Sequence, residues 1–223
     1  MEWLGIEIDE NRHWGPEGEC APQGVATEHR LIVGATGLPA HKIPGKLCPE
    51  DLHRGADGLC LPGLGQMTSG ERLRLLGFQT LNPYWDGVAL IVQSERTLWV
   101  TLSAGEAIHV QASATGQLAI ALGCEAAVPE GLDEAMSLAE RLPFQLAEAT
   151  GPGARLAALL GAEMAAAKRL WLGQQAVLIG QGPLAHAYLA ALRGLYVPVT
   201  ETMDAALVRE GFRALARTFV ASD

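Results

Sequence analysis

Gly161 to Leu192 reads GAEMAAAKRLWLGQQAVLIGQGPLAHAYLAAL. The run divides into helix, buried strand, glycine turn and helix. Met164, Leu170 and Trp171 close an amphipathic stretch, Ala176 to Ile179 is a short apolar burst, and helical spacing resumes at Leu184. Gly180 and Gly182 remove side chains where the strand ends. The unpaired N–H groups that open the next helix face the same space, so a nucleotide can lie against bare main chain there. A tight strand-to-helix turn with nothing bound needs the same glycines, and the pair alone leaves both readings open.

Around that stretch, composition sets the bounds. Of 223 residues, 49% are hydrophobic and 18% charged, enough to bury one large core or two modest ones. One or two globular domains are expected. A net charge of −9 without a clustered Lys/Arg stripe argues against nucleic acid or an anionic membrane as the partner. No apolar segment reaches membrane-spanning length, and Met1 to Arg12 carries acids where a signal peptide has a basic start and an apolar middle. The expected compartment is the cytoplasm.

Cys20, Cys48, Cys60 and Cys124 show no CxxC spacing and no histidine pair at zinc-finger intervals, so they read as free thiols. His41 and His53 fall in loops and His109 in a strand pattern. No metal site is predicted from them.

In chain order, Trp3 to Ile8 reads as a strand that ends at Asp9, and Asn11 to Gly24 as a tight connection or an edge hairpin. Leu31 to Val33 is a buried-strand burst followed by Gly34. The segment HKIPGKLCPED, His41 to Asp51, is a loop because of its prolines, and Lys42 and Lys46 in it are placed either to hold an acidic ligand or simply to be solvated. A helix begins near Ser69, which can cap it. Glu71 then lies in the first turn, as a dipole-stabilising acid or as a general base at the lip of a cleft.

Asn82 to Asp86 is the candidate domain boundary, giving domains 1–82 and 83–223. Val88 to Val92, Thr97 to Leu102 and Ala107 to Val110 read as a three-stranded meander, and Thr115-Gly116-Gln117 opens a helix. Glu134 to Thr150 and Ala154 to Lys168 read as helices, Leu195 to Val199 as a last strand, and Ala205 to Phe219 as a terminal helix. A meander, then helices, then two strands divided by a helix, is the ribonuclease H-like plan.

Several short motifs agree with one family. Gly70-Glu71-Arg72 followed by LRLLGF, Leu73 to Phe78, stands where that family has GEE and QLIGA. Thr115-Gly116-Gln117-Leu118 stands for TGEL. Val177 to Gly182 with Leu184, Tyr188 and Ala191 fits its late strand, turn and helix, and Asp204, Gly211 and Arg213 fit its closing segment. The chain thus resembles the 2-keto-3-deoxygalactonate kinase (2-dehydro-3-deoxygalactonokinase) family of the sugar kinase and actin superfamily, as a shortened and divergent member.

The resemblance implies an α/β fold of two ribonuclease H-like domains around a central cleft, the N-terminal one reduced. It implies ATP-dependent phosphorylation of a 2-keto-3-deoxy sugar acid with Mg²⁺, a nucleotide and a sugar acid as partners, and leaves a homo-oligomer open. Glu71 and Asp9 are then the catalytic candidates, Gly180, Gly182, Thr115 and Gly116 the cofactor-binding ones, and Gly34, Lys42 and Lys46 the substrate-binding ones. The departures fall on one ligand. Where the family has DWGTTNLRAW, this chain passes from Ile6-Glu7-Ile8-Asp9 to Trp14 without the glycine-threonine hairpin. Where it has PGTHCKW, this chain has Gln93-Ser94-Glu95-Arg96-Thr97-Leu98-Trp99. Either a compact kinase uses Arg96, Arg72 and Lys46 as substitutes, or the chain is an inactive kinase-fold binding or regulatory module.

Overall fold

The computed structural model describes residues 2–220. They form two compact units: the first gathers residues up to Asp86, Leu102–Val110 and those from Met203 onward, and the second gathers Gly87–Thr101 and Gln111–Thr202. In chain order the elements are β1 (Leu4–Glu7), β2 (Arg12–Gly15), β3 (Gly18–Cys20), β4 (Arg30–Val33), β5 (Gly45–Lys46), β6 (His53–Arg54), β7 (Leu59–Cys60) and α1 (Ser69–Leu81). Then come β8 (Gly87–Val92), β9 (Thr97–Ser103), β10 (Glu106–Ser113), α2 (Thr115–Ala121), α3 (Leu132–Ser137), α4 (Leu142–Glu148), α5 (Pro152–Ala166) and α6 (Lys168–Trp171). The chain ends with β11 (Ala176–Ile179), α7 (Pro183–Gly194), β12 (Val199–Glu201) and α8 (Asp204–Phe219).

The first unit's sheet runs β3-β2-β1-β4-β7-β6. β1, β2 and β3 are an antiparallel meander, while β4 lies parallel to β1 and β7 parallel to β4. Leu31, Ile32 and Val33 are buried because α8 covers the sheet, and the cover is close: a Cβ on Gly5 would lie 2.6 Å from the Phe212 ring. α1 turns Leu73, Leu76 and Phe78 inward and packs along α8. Within the same unit β5 pairs with the start of β10, Lys46 facing Glu106.

The second unit's strands run β12-β11-β8-β9-β10, with β11 parallel to both β8 and β12. Every residue of β8, GVALIV, is buried, as expected of a strand covered on both faces. Leu156, Leu160 and Met164 of α5 and Leu184, Tyr188 and Leu192 of α7 join Trp99 and Trp171 in that core. Each unit therefore repeats one plan, a three-strand meander followed by strands that add in parallel beside its first member. Among the described residues no helix is long and apolar enough to cross a membrane.

Three expectations change. Thr68, not Ser69, caps α1: its hydroxyl accepts from the Glu71 N–H while the Glu71 carboxylate accepts from the Thr68 N–H, a reciprocal box that needs the hydroxyl three residues before the acid. The single helix expected over Glu134 to Thr150 is broken at Leu138, whose ψ is 36°, and restarts with Pro143 in its first turn, where a missing N–H is harmless. The last strand is Val199–Glu201 rather than Leu195 to Val199, since Tyr196 takes a left-handed φ of 57° and Pro198 has no N–H to donate. Of the two readings of Asn11 to Gly24, the edge hairpin is the one that forms, as β2–β3.

Candidate functional site

The parallel strands β1 and β4 end side by side, at Glu7 and Val33. Ligands of open α/β sheets bind outside such carboxyl ends. Ile8 N–H still donates to Val33 O at 3.0 Å, and the chain then turns through Asp9, Glu10 and Asn11, with Asn11 in the left-handed region at φ 52°. Asp9 is exposed there. Gly34, at φ +85°, follows β4, and a Cβ on it would lie 2.9 Å from Asp9 Oδ2, so a larger residue would displace the carboxylate. Gly34 N–H donates to Ser69 Oγ at 2.8 Å, which fastens the strand end to the first residue of α1. Asp9, Gly34 and Ser69 thus meet at one end of the sheet.

Glu71 belongs to the same helix start but faces inward. It is 2% exposed, and its Oε2 accepts from Thr68 N–H at 2.7 Å. Sequence reasoning missed Ser69 as the anchor of Gly34; the threonine–glutamate spacing of a capping box was the available signal.

The lysine segment lines a different recess, of about 300 Å³, together with His41, Glu50, Asp51, Arg72 and Glu106. Lys42 is exposed. Lys46 Nζ donates to Glu50 Oε1 at 2.9 Å, and that bond raises the Lys46 pKa. Arg72 holds the segment in place. Its guanidinium is 1% exposed and donates to the carbonyls of Leu47 (2.9 Å), Lys46 (2.7 Å) and Pro62 (3.0 Å), with His41 Nδ1 3.3 Å away. Burial pushes its pKa down to about 10. A guanidinium wrapped by carbonyls this way is a strut for its loops, not a substitute phosphate ligand.

In the second unit β8 and β11 end at Val92 and Ile179. Gly180 is required by packing: a Cβ there would lie 2.5 Å from Val92 O. Gly182 differs, because it precedes α7 at φ +88° and a Cβ would meet nothing within 4 Å. Thr115 and Gly116 open α2, yet both face protein. Thr115 Oγ1 is 3.0 Å from Ser113 Oγ, and a Cβ on Gly116 would lie 2.4 Å from Ser94 O in the β8–β9 turn. Gln117 N–H donates to Glu95 O of that turn at 2.9 Å. Among the described residues no group of three or more His, Cys, Asp or Glu is placed to hold a metal ion.

No protein-family model matches the chain, and no curated protein matches it either. Among solved structures, a protein from Sinorhizobium meliloti provisionally assigned as a 2-dehydro-3-deoxygalactonokinase aligns with 97% of this chain and 95% of its own, at a TM-score of 0.71 and 19% identity. Component A of the (R)-2-hydroxyglutaryl-CoA dehydratase of Acidaminococcus fermentans aligns with 64% of this chain and 65% of its own, at 14% identity and a TM-score of 0.31, too low to carry an argument. What this chain shares with the Sinorhizobium protein is the fold.

Proposed function

We propose that this chain is a carbohydrate kinase that phosphorylates a 2-keto-3-deoxy sugar acid, such as 2-keto-3-deoxygalactonate, with ATP and Mg²⁺. One observation carries the reading. Both units share one strand plan, which this reading takes as ribonuclease H-like, and four of the candidate residues lie just beyond the carboxyl ends of parallel strands, Asp9 and Gly34 in the first unit and Gly180 and Gly182 in the second. The domains of this reading, 1–82 and 83–223 along the sequence, follow the two compact units except that Leu102–Val110 and the residues from Met203 onward pack with the first.

Asp9 is the proton acceptor for the attacking hydroxyl, because it is exposed at the strand end while Glu71 is buried. Glu71 is a positioning residue. Through Thr68 it sets the first turn of α1, whose Ser69 hydroxyl keeps Gly34 against Asp9. Lys42 and Lys46 offer charge to the substrate carboxylate, Lys46 by exchanging its exposed partner Glu50.

ATP fits the second unit at one end only. Open space at Gly182 lets a nucleoside approach bare main chain beside the N-terminus of α7. ATP, when bound, supplies the phosphoryl group. The polyphosphate end fits poorly, since the Thr115 hydroxyl and the Gln117 N–H already bond within the protein, Gly116 is covered by Ser94, and Glu95 adds a repelling charge. That mismatch favours a second reading, a kinase-fold module that binds nucleoside and sugar acid without transferring phosphate.

Two measurements separate them. Mg-ATP at a hundredfold excess over its Kd raises stability by about 2.7 kcal/mol under either reading. ADP release with 2-keto-3-deoxygalactonate occurs under the first alone. A protein that shows neither response is not a nucleotide-using member of this fold.

A further inference from the structure

We propose that the second unit carries another ligand site, for a small organic ammonium ion, in the cavity between β10, α2, α4 and α5, with Glu163 as its counter-ion. The cavity measures about 230 Å³ and is walled by Leu118, Leu142, Leu159 and Ala162, with Gln111, Ser113, Thr115 and Glu163 as its polar part.

Glu163 is 8% exposed. Its Oε1 accepts from Trp99 Nε1–H at 2.6 Å, and its Oε2 accepts from the Ser113 hydroxyl at 2.5 Å and the Tyr188 hydroxyl at 2.6 Å. All three donors are neutral. They bring no positive charge, whereas buried carboxylates are ordinarily matched by a cation. Tyr188 agrees: burial, and then the negative charge of Glu163, raises its pKa well above the ordinary phenol value. Among the described residues no lysine, arginine or histidine pairs with Glu163, and Arg169 on the adjoining α6 reaches Gln111 Oε1 instead, at 3.4 Å.

The lining sets the chemistry of the ligand. A hard metal ion takes six or more oxygen ligands with several carboxylates among them, whereas Glu163 is the one carboxylate lining this cavity, beside the neutral side chains of Gln111, Ser113 and Thr115. An ammonium group has three donors. Glu163 Oε1 holds a single hydrogen bond and can accept another, and the Thr115 hydroxyl oxygen, 3.0 Å from Ser113 Oγ, keeps acceptor capacity, whereas Ser113 Oγ is already filled by the Thr115 N–H and hydroxyl. The leucine and alanine walls then require an apolar body on the same ligand. A short alkyl or arylalkyl ammonium satisfies both. The site shares only Thr115 with the residues of the kinase reading and involves neither glycine turn nor Asp9, so it does not depend on that reading.

The test uses the whole protein without nucleotide or sugar. Ligand-observed NMR titrations compare n-butylammonium with butan-1-ol, which has the same chain and no charge. The ammonium binds, the alcohol binds at least tenfold more weakly, and Glu163→Gln removes the difference. Because Glu163→Gln also disturbs a buried network, Ala166→Trp provides the second variant: it fills the cavity from the more exposed wall, leaves the network intact, and abolishes binding without lowering Tm. Equal binding of ammonium and alcohol to the unaltered protein, no binding of either, or undiminished binding to folded Ala166→Trp would overturn the proposal.

Discussion

Arg74 of α1 grips Asp204, the first residue of α8, at two points, Nε to Oδ1 at 2.6 Å and Nη2 to Oδ2 at 3.3 Å. The pair is part of a wider set. Arg74 also reaches Glu7 Oε1 at 3.1 Å, Arg12 reaches Glu7 Oε2 at 3.0 Å and Asp204 at 3.1 Å, and Trp14 Nε1–H donates to Glu7 at 2.7 Å. Two arginines thus balance two carboxylates where the last helix joins the first unit's sheet. Burial raises the Asp204 pKa, but the bond and charge of Arg74, with help from Arg12, outweigh it and hold the carboxyl below its ordinary value. A depressed carboxyl contributes stability that is present above the unfolded pKa near 4 and is lost as pH falls through the lower folded value. Asp204→Asn is therefore expected to cost about 2 kcal/mol at pH 7 and to flatten the loss of stability from roughly pH 4 downward. Urea unfolding across that pH range measures both.

Gly77 and Gly211 set how near α1 and α8 can come. A Cβ on Gly77 would lie 1.8 Å from Leu207 O, and one on Gly211 would lie 2.4 Å from Leu73 O. Both neighbours are backbone, so neither can swing aside. Gly77→Ala and Gly211→Ala should each destabilise by about 3 kcal/mol, despite alanine's better helix propensity. The double variant should cost less than the sum, because the first substitution already separates the helices. Unfolding free energies of the three variants check this.

Arg72 donates to the carbonyls of Lys46, Leu47 and Pro62 from a buried position. Arg72→Met keeps the stem and removes the donors, and it is expected to cost about 3 kcal/mol. Arg72→Glu, which places the resembled family's acid at this position, should be worse, since it directs a charge at those carbonyls. Circular dichroism melts rank the two.

Sequence periodicity served best where local rules govern. The run VALIV after Gly87, the burst Ala176 to Ile179 with its glycine turn, and the start of α2 at Thr115 were readable because continuous apolar runs and helix-start residues have few other uses. Asp9 and Gly34 were nominated separately, and the parallel pairing of β1 with β4 is what makes them neighbours. Other features depended on distant partners. Arg72 reads from sequence as a stand-in phosphate ligand, and only the closing of two loops, Lys46–Leu47 and Pro62–Gly63, around it makes it a strut, while the role of Glu163 appears only when Trp99, Ser113 and Tyr188 converge on it. Gly77 and Gly211 look like weak spots in helices, because each is explained only by the other's helix. Breaks at Leu138 and Tyr196 rest on single backbone angles that composition does not reveal.

The two acids nominated for catalysis respond differently to amidation. Glu71→Gln keeps a group that can cap the Thr68 N–H, so it should fold with a loss of about 1 kcal/mol and retain turnover. Asp9→Asn, at an exposed turn, should leave Tm within about two degrees and lower kcat by a factor of about 10² or more. An inactive Glu71→Gln beside an active Asp9→Asn would exchange their roles.

ADP release from Mg-ATP, followed for the unaltered protein with and without 2-keto-3-deoxygalactonate, bears on the whole functional reading. Release that saturates with the sugar acid and disappears in Asp9→Asn is the expected result. No release above the sugar-free rate, from protein whose Tm is raised by Mg-ATP, would show that the scaffold binds nucleotide without phosphoryl transfer.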